Sequence, residues 1–205
     1  KTSGFFGMII PREYRGLGFS AIANSSVVAK VSSASTAAGV TVMVPNSLGP
    51  AELLLHYGTD DQKAHYLPRL ARGDEVPCFA LTEPEAGSDA MNARTKAVLS
   101  DDGAHWVLTG TKQFITNAGF ADVFTVFAKV DGKFTAFILE KEMEGLSTGA
   151  EEHKLGIKGS STTQIILDNC KVPVENLLGE IGKGHKIAFN VLNVGRFKLG
   201  ACVTG

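Results

Sequence analysis

Phe79-Ala80-Leu81-Thr82-Glu83-Pro84-Glu85-Ala86-Gly87-Ser88-Asp89 runs from an apolar stretch of strand character straight into a small, polar, glycine-containing turn. Such a turn offers backbone N–H groups and short hydroxyls to a negatively charged group, above all a phosphate. A second run, Thr111-Lys112-Gln113-Phe114-Ile115-Thr116-Asn117, repeats the theme, with strand residues ending at a hydroxyl beside an aromatic. Taken singly, threonine at a strand end and Gly-Ser in a turn are ordinary turn chemistry. Two such segments within one β-rich region are far more specific.

That region extends over residues 77–173. Strands are expected at 78–82, 95–99, 105–109, 114–116, 123–129, 134–139 and 162–167, where β-branched and aromatic residues alternate or run on continuously. Asp101-Asp102-Gly103, Asn117-Ala118-Gly119, Asp131-Gly132 and Asp168-Asn169 supply the turn signals between them. Short strands at this spacing, with no helices between, indicate an antiparallel barrel or sandwich.

The flanks read differently. Before residue 74 the chain is helical in pattern, dense in alanine and serine from residue 21 to 39. Thr59-Asp60-Asp61-Gln62 fits a capping box, followed by Ala64, Leu67 and Ala71 at helical spacing. Pro68 is expected to kink or interrupt that helix, and Gly73 to end it. From Lys183 the pattern is helical again, with Ile187, Val191, Val194 and Leu199 near one face. The chain starts at Lys1 and stops at Gly205 inside this helical pattern, so a piece of a longer protein is expected.

With 205 residues, 44% hydrophobic and 20% charged, the chain can bury a substantial core. A net charge of −1 gives no electrostatic footprint for nucleic acid. No apolar run reaches membrane-spanning length, and no targeting signal is read within this stretch. Cys78, Cys170 and Cys202 are odd in number and far apart, which predicts free, mostly buried thiols in a reducing compartment.

Other motifs carry less. Gly182-Lys183-Gly184 lacks the third glycine of a dinucleotide fingerprint, and His185 stands where a phosphate-loop lysine would be, so a turn before a helix is expected. His56, His65, His105, His153 and His185 show no metal-ligand spacing, and no metal site is expected. Nothing in sequence places a base beside Ser88. For Glu83, Glu85 and Asp89, capping or solvent-facing roles are preferred to acid–base catalysis.

Together the segments resemble the acyl-CoA dehydrogenase family. Tyr57-Gly58-Thr59-Asp60-Asp61-Gln62-Lys63 and Tyr66-Leu67-Pro68-Arg69-Leu70-Ala71-Arg72-Gly73 look like the end of its N-terminal helical domain. Leu81-Thr82-Glu83-Pro84, Ala86-Gly87-Ser88-Asp89, Gly110-Thr111-Lys112 and Ile115-Thr116-Asn117 look like its flavin segments. Leu155-Gly156-Ile157-Lys158-Gly159-Ser160, Val172 to Gly179 and Asn193-Val194-Gly195-Arg196 look like the link into its C-terminal helices. Phe124 to Lys129 and Gly195-Arg196-Phe197 are closest to the long- and very-long-chain branch.

The resemblance implies an α+β fold: a helical segment over 1–74, an antiparallel β-barrel middle domain over 75–180, and the start of a C-terminal helical bundle over 181–205. It implies FAD as cofactor and α,β-dehydrogenation of acyl-CoA thioesters, of the fatty-acid β-oxidation type. FAD is expected on Phe79, Leu81, Thr82, Gly87, Ser88, Phe114, Ile115 and Thr116. Thr82 is expected at the pyrimidine side, Ser88 near the pyrophosphate and the acyl-CoA, and Thr116 near flavin N5. Asn193 and Arg196, with Ser88, are expected to line the acyl-CoA site. The family often has tryptophan where this chain has Phe114. Its catalytic glutamate lies in most members beyond the position of Gly205; in a minority branch it precedes the arginine matching Arg196, where this chain has Gly195. No residue of this chain inherits the base, so the 205-residue chain alone is expected to be inactive. The partners implied are an electron-transfer flavoprotein or similar acceptor and further copies of the chain, as a dimer or tetramer. The compartment implied is the cytoplasm in a bacterium and the mitochondrion in a eukaryote. Two other activities are compatible with the fold: a scaffold or assembly protein without turnover, and a flavin monooxygenase.

Overall fold

The computed structural model describes residues 4–47 and 50–204; Lys1 and the side chains of Val194 and Cys202 lie outside the described residues. The helical block consists of α1 (Ala21–Ala34), α2 (Thr36–Ser47), α3 (Pro50–Tyr57) and α4 (Asp60–Arg72). The capping box is formed: Gln62 N–H donates to Thr59 Oγ1 at 3.2 Å, and Thr59 N–H donates to Gln62 Oε1 at 3.0 Å. Gly73 ends α4 in the left-handed region, φ 71°, its N–H bonded to the carbonyls of Arg69 and Leu70. Of the kink or interruption expected at Pro68, the interruption does not occur: α4 runs on to Arg72. Its buried face of Tyr66, Leu67, Leu70 and Ala71 packs on the core and holds the turn that the missing N–H weakens. Ala64, expected in that face, is exposed.

The middle of the chain is one 8-stranded sheet in the order β6-β7-β3-β2-β4-β5-β8, with β1 also on β4. Its strands are β1 (Pro77–Ala80), β2 (Lys96–Leu99), β3 (His105–Thr116), β4 (Val123–Val130), β5 (Lys133–Glu140), β6 (Leu146–Thr148), β7 (Thr162–Pro173) and β8 (Leu177–Leu178). Two features differ from the antiparallel barrel expected. β1 and β2 both run parallel to β4, sharing one of its edges, while β5 takes the other. The sheet also folds around its interior without closing among the described residues. The end strands β6 and β8 are three and two residues long, too short to carry a closing ladder.

The sheet's inner face holds Leu108, Phe124, Val126, Phe137, Ile165 and Val172. The opposite face of β4 and β5, through Phe127, Phe134 and Ile138, packs on Leu54, Leu67, Ile187 and Val191 of the helices. β4 is therefore buried on both sides, which explains its continuous rather than alternating apolar pattern. At its end Asp131 (φ 47°) and Gly132 (φ 77°) are both left-handed, as a tight two-residue hairpin requires. Asp168-Asn169, expected as a turn, is instead a bulge inside β7: Leu108 pairs with Cys170 but Gly110 with Leu167, and Asn169 has φ 50°. The expected strands 105–109 and 114–116 are one strand, β3. Cys78 and Cys170 are free and buried.

α5 (Gly184–Cys202) returns to the helical block. A Cβ on Gly184 would lie 2.8 Å from the Thr135 nitrogen, so only glycine lets the helix start this close to β5. Ile187 and Val191 are buried as expected, but Leu199 is 46% exposed. The buried residue in that part of the helix is Lys198, whose Nζ donates to the Asn46 carbonyl at 2.8 Å and faces Glu52 at 3.9 Å.

Candidate functional site

β1 delivers the chain to Leu81 and stops, because the next residues turn back on themselves. Glu83 and Ala86 exchange both backbone hydrogen bonds at 3.1 Å, which throws Pro84 and Glu85 outward and leaves Gly87, Ser88 and Asp89 exposed. A Cβ on Gly87 would meet nothing within 4 Å, so the space beside it is open for a ligand.

The base of this turn is built on charge. The Glu83 carboxylate accepts from Arg94 N–H (2.5 Å), Thr95 N–H (3.1 Å), Thr95 Oγ1 (2.5 Å) and Lys112 Nζ (2.7 Å). Burial opposes ionisation of Glu83, but the Lys112 ammonium and these donors outweigh it and hold the carboxyl below its ordinary range. Burial lowers the Lys112 pKa to about 8, against the opposing pull of Glu83. Glu85 pairs with Arg94 at the surface. Glu83 is thus buried in a structural contact rather than facing solvent, while Glu85 lies in a surface pair and Asp89 is exposed.

The second segment lies alongside. Gln113 N–H donates to the Thr82 carbonyl at 2.8 Å. The β3–β7 register shifts between Lys112 and Ile115, and in that irregularity Phe114 has φ 57° and is 60% exposed. A left-handed aromatic residue is a genuine backbone outlier, of the kind found at ligand clamps. Gln113 is held from both sides, by Gln164 Nε2 at 2.6 Å and through its own Nε2 to Glu152 Oε1 at 2.8 Å. Ile115 points inward and is buried. Thr116 pairs with Thr162 at the strand end. Asn117 follows, buried, its Nδ2 donating to the Thr41 carbonyl of α2 at 3.3 Å.

The structure therefore brings Thr82 beside the Gln113–Phe114 bulge and exposes Gly87 and Ser88 on the turn. Phe79 and Leu81 serve the packing beneath: Phe79 stands edge-on to Phe127, with centroids 5.3 Å apart, and Leu81 is buried. Asn193 and Arg196 lie on the exposed surface of α5, where Arg196 Nη1 donates to Asn193 Oδ1 at 3.0 Å. A cavity of about 670 Å³ lies elsewhere, lined by Gln62, His65, Tyr66, Glu140 and Asn176. The turn and bulge outweigh it as a site, because they join an open glycine backbone to a left-handed, uncovered ring, which the cavity lacks. Sequence reading gave Lys112 no role. The signal was present: two-residue alternation from Trp106 through Leu108 and Gly110 puts Lys112 on the inward face.

An exposed ring on one segment, with an open glycine and an exposed serine on the segment bonded to it, fits a flat ligand carrying anionic groups. The comparisons with known proteins give this architecture its class. Residues 1–74 match the family model "Acyl-CoA dehydrogenase, N-terminal domain", and residues 78–170 match "Acyl-CoA dehydrogenase, middle domain". The chain belongs to the acyl-CoA dehydrogenase family. It is 53% identical over 204 residues to a probable acyl-CoA dehydrogenase of Bacillus subtilis, covering 98% of this chain and 34% of that protein. It is 42% identical to the human mitochondrial very long-chain specific acyl-CoA dehydrogenase, covering 100% of this chain and 33% of that one. The crystal structure of an acyl-CoA dehydrogenase complexed with FAD from Bacillus anthracis superposes with a TM-score of 0.93 at 48% identity, covering 98% of this chain and 34% of that chain. The chain thus spans about a third of the length of these relatives.

Proposed function

We propose that the whole protein carries FAD on the Thr82–Ser88 turn and the Phe114 bulge and uses it to dehydrogenate acyl-CoA thioesters between their α and β carbons. The observation that carries this reading is the junction of those two segments, joined by the Gln113 N–H to Thr82 carbonyl bond, within a chain of this family. When bound, the flavin accepts the hydride that leaves the β carbon.

This chain's residues bind, orient and exclude water. Thr82 is assigned to the pyrimidine edge, Ser88 to the pyrophosphate and the entering thioester, Thr116 to the N5 edge, and Phe114 to covering one ring face. Phe79, Leu81, Gly87 and Ile115 shape the backbone and packing around them. Asn193 and Arg196 on α5 are assigned to the acyl-CoA. A cavity of about 430 Å³ opens beside the turn, lined by Lys96 and Lys129 together with Asp131 and the Glu85-paired Arg94, and its two lysines suit an anionic ligand end. Gly195 has no side chain to take the α proton, so the base is assigned outside residues 1–205.

On this reading 1–74, 75–180 and 181–205 act as helical, flavin-binding and bundle-forming parts. The redox partner would be an electron-transfer flavoprotein or a similar acceptor, and the protein works as a homo-oligomer in the bacterial cytoplasm or the mitochondrion. No helix among the described residues is long and apolar enough to cross a membrane. The test is an anaerobic absorbance spectrum of the whole purified protein before and after adding acyl-CoAs of graded length. A flavin band bleached by one chain length supports the reading. Absence of flavin refutes it and leaves the scaffold. A flavin that acyl-CoA does not bleach, and that reoxidises rapidly in O₂ after chemical reduction, refutes it in favour of a monooxygenase.

A further inference from the structure

Resting on the flavin reading, we propose that the buried Lys112–Glu83 ion pair is the positioning element of the site, locking the Thr82–Ser88 turn and the Phe114 bulge into one rigid unit. The pair lies between the two segments and beneath both. Its side chains are 0% and 5% exposed. Glu83 opens the turn, and its carboxylate also grips Arg94 N–H and both donors of Thr95, where the excursion ends. One carboxylate therefore closes the 84–93 loop at its base. Lys112 stands two residues before Phe114, and its Nζ also reaches the Leu81 carbonyl at 3.5 Å, one residue before Thr82. The backbone bond from Gln113 to Thr82 runs alongside.

Stability alone gives little reason for such a pair. Replacing a buried ion pair with apolar residues is often neutral or favourable, whereas losing one partner strands a charge. What the pair does provide is a fixed distance and orientation between segments that approach from different strands. It is also electrically neutral, so it places no net charge in the site while both partners are present. Lys112→Met strands a carboxylate, which opposes adding electrons to the flavin. In Glu83→Gln the buried Lys112 amine, its pKa already lowered to about 8 with Glu83 present, loses the pull that keeps it charged and sheds its proton, so little charge is added.

The experiment uses the whole protein with bound FAD and two readouts, the FAD dissociation constant and the flavin midpoint potential. Each single variant is expected to weaken FAD binding roughly 10- to 100-fold, the range for losing one charged hydrogen bond. The potential is expected to fall in Lys112→Met and to stay near wild type in Glu83→Gln, whose buried amine sheds its proton. The double variant Lys112→Met/Glu83→Leu is expected to recover the wild-type potential but not the affinity. Unchanged affinity in both single variants overturns the proposal, as does weakened affinity with no fall of the potential in Lys112→Met. Should Lys112→Met fail to fold, the nearly isosteric Glu83→Gln carries the affinity readout. A wild-type protein that binds no FAD overturns the flavin reading itself. Bound FAD with indifferent variants overturns only the role of the pair.

Discussion

Replacing Phe114 with glycine separates strain kept for a ligand from strain kept for packing. The ring is 60% exposed, so folding buries about 80 Å² of its roughly 200 Å², worth about 2 kcal/mol at 25 cal/mol per Å². Against that loss, glycine at φ 57° relieves about 1–2 kcal/mol of left-handed strain. Its extra unfolded-state entropy takes back about 0.5–1 kcal/mol. The net change in apo stability is a loss of about 1 kcal/mol. Flavin binding is expected to suffer more. Covering half of the exposed ring area and losing one stacked pair together amount to about 2–3 kcal/mol, roughly 30- to 160-fold in Kd. The assays are urea denaturation of the apo whole protein and fluorescence titration with FAD. Phe114→Trp keeps a ring and is expected to retain affinity. An apo loss above about 3 kcal/mol with unchanged Kd would refute the reasoning, because the ring would then be a packing element.

Ser88→Ala is expected to weaken FAD binding by about 1.5–3 kcal/mol with no change in the melting temperature of the apo protein, since the side chain is exposed; titration calorimetry with FAD checks the first and scanning calorimetry of the apo protein the second. Gly184→Ala pushes a methyl group against the β5 backbone and is expected to cost about 1–3 kcal/mol in urea denaturation. Glu83 has a depressed folded-state pKa, so below its unfolded value near 4.5 the unfolded chain binds more protons. Stability from this group is present above that pH and is lost as pH falls through the folded value. Glu83→Gln is therefore expected to be less stable at neutral pH but to show a flatter acid limb in a pH series of denaturation curves.

What the sequence made legible was local. The Thr59–Gln62 box, the Gly73 stop and the Asp131-Gly132 hairpin depend on residues within a few positions of each other, and the structure forms all three. β4 was legible as a run because both of its faces are buried. What escaped depends on distant partners. β6 and β8 are too short to show periodicity. The Asp168-Asn169 signal carried the right backbone chemistry, but only register with β3 turns it into a bulge. The parallel placement of β1 and β2 on β4 leaves no local trace. Within the site the hydroxyls and glycine were visible as turn chemistry. The Glu83–Lys112 contact spans 29 positions, so each residue alone read as an unremarkable charge.

The same division explains how the fold can support a strained site. β4 is paired on both edges and packed on both faces, so the strand beside β1 has little freedom to shift. β1 ends where that support ends, and the chain beyond Ala80 is free to leave the sheet. The turn would then wander like any surface loop, were its base not tied to β3 by Lys112 and by the Gln113–Thr82 bond. Phe114 can hold an unfavourable backbone because its neighbours leave no alternative: Lys112 anchors one side, Ile115 is buried in the sheet interior on the other, and Gln113 is bonded at both ends of its amide. Loosening any one tie should relax the outlier before it unfolds the domain. Pre-organisation of this kind concentrates its cost in the ligand-free state and returns it as affinity when a flat ligand covers the ring.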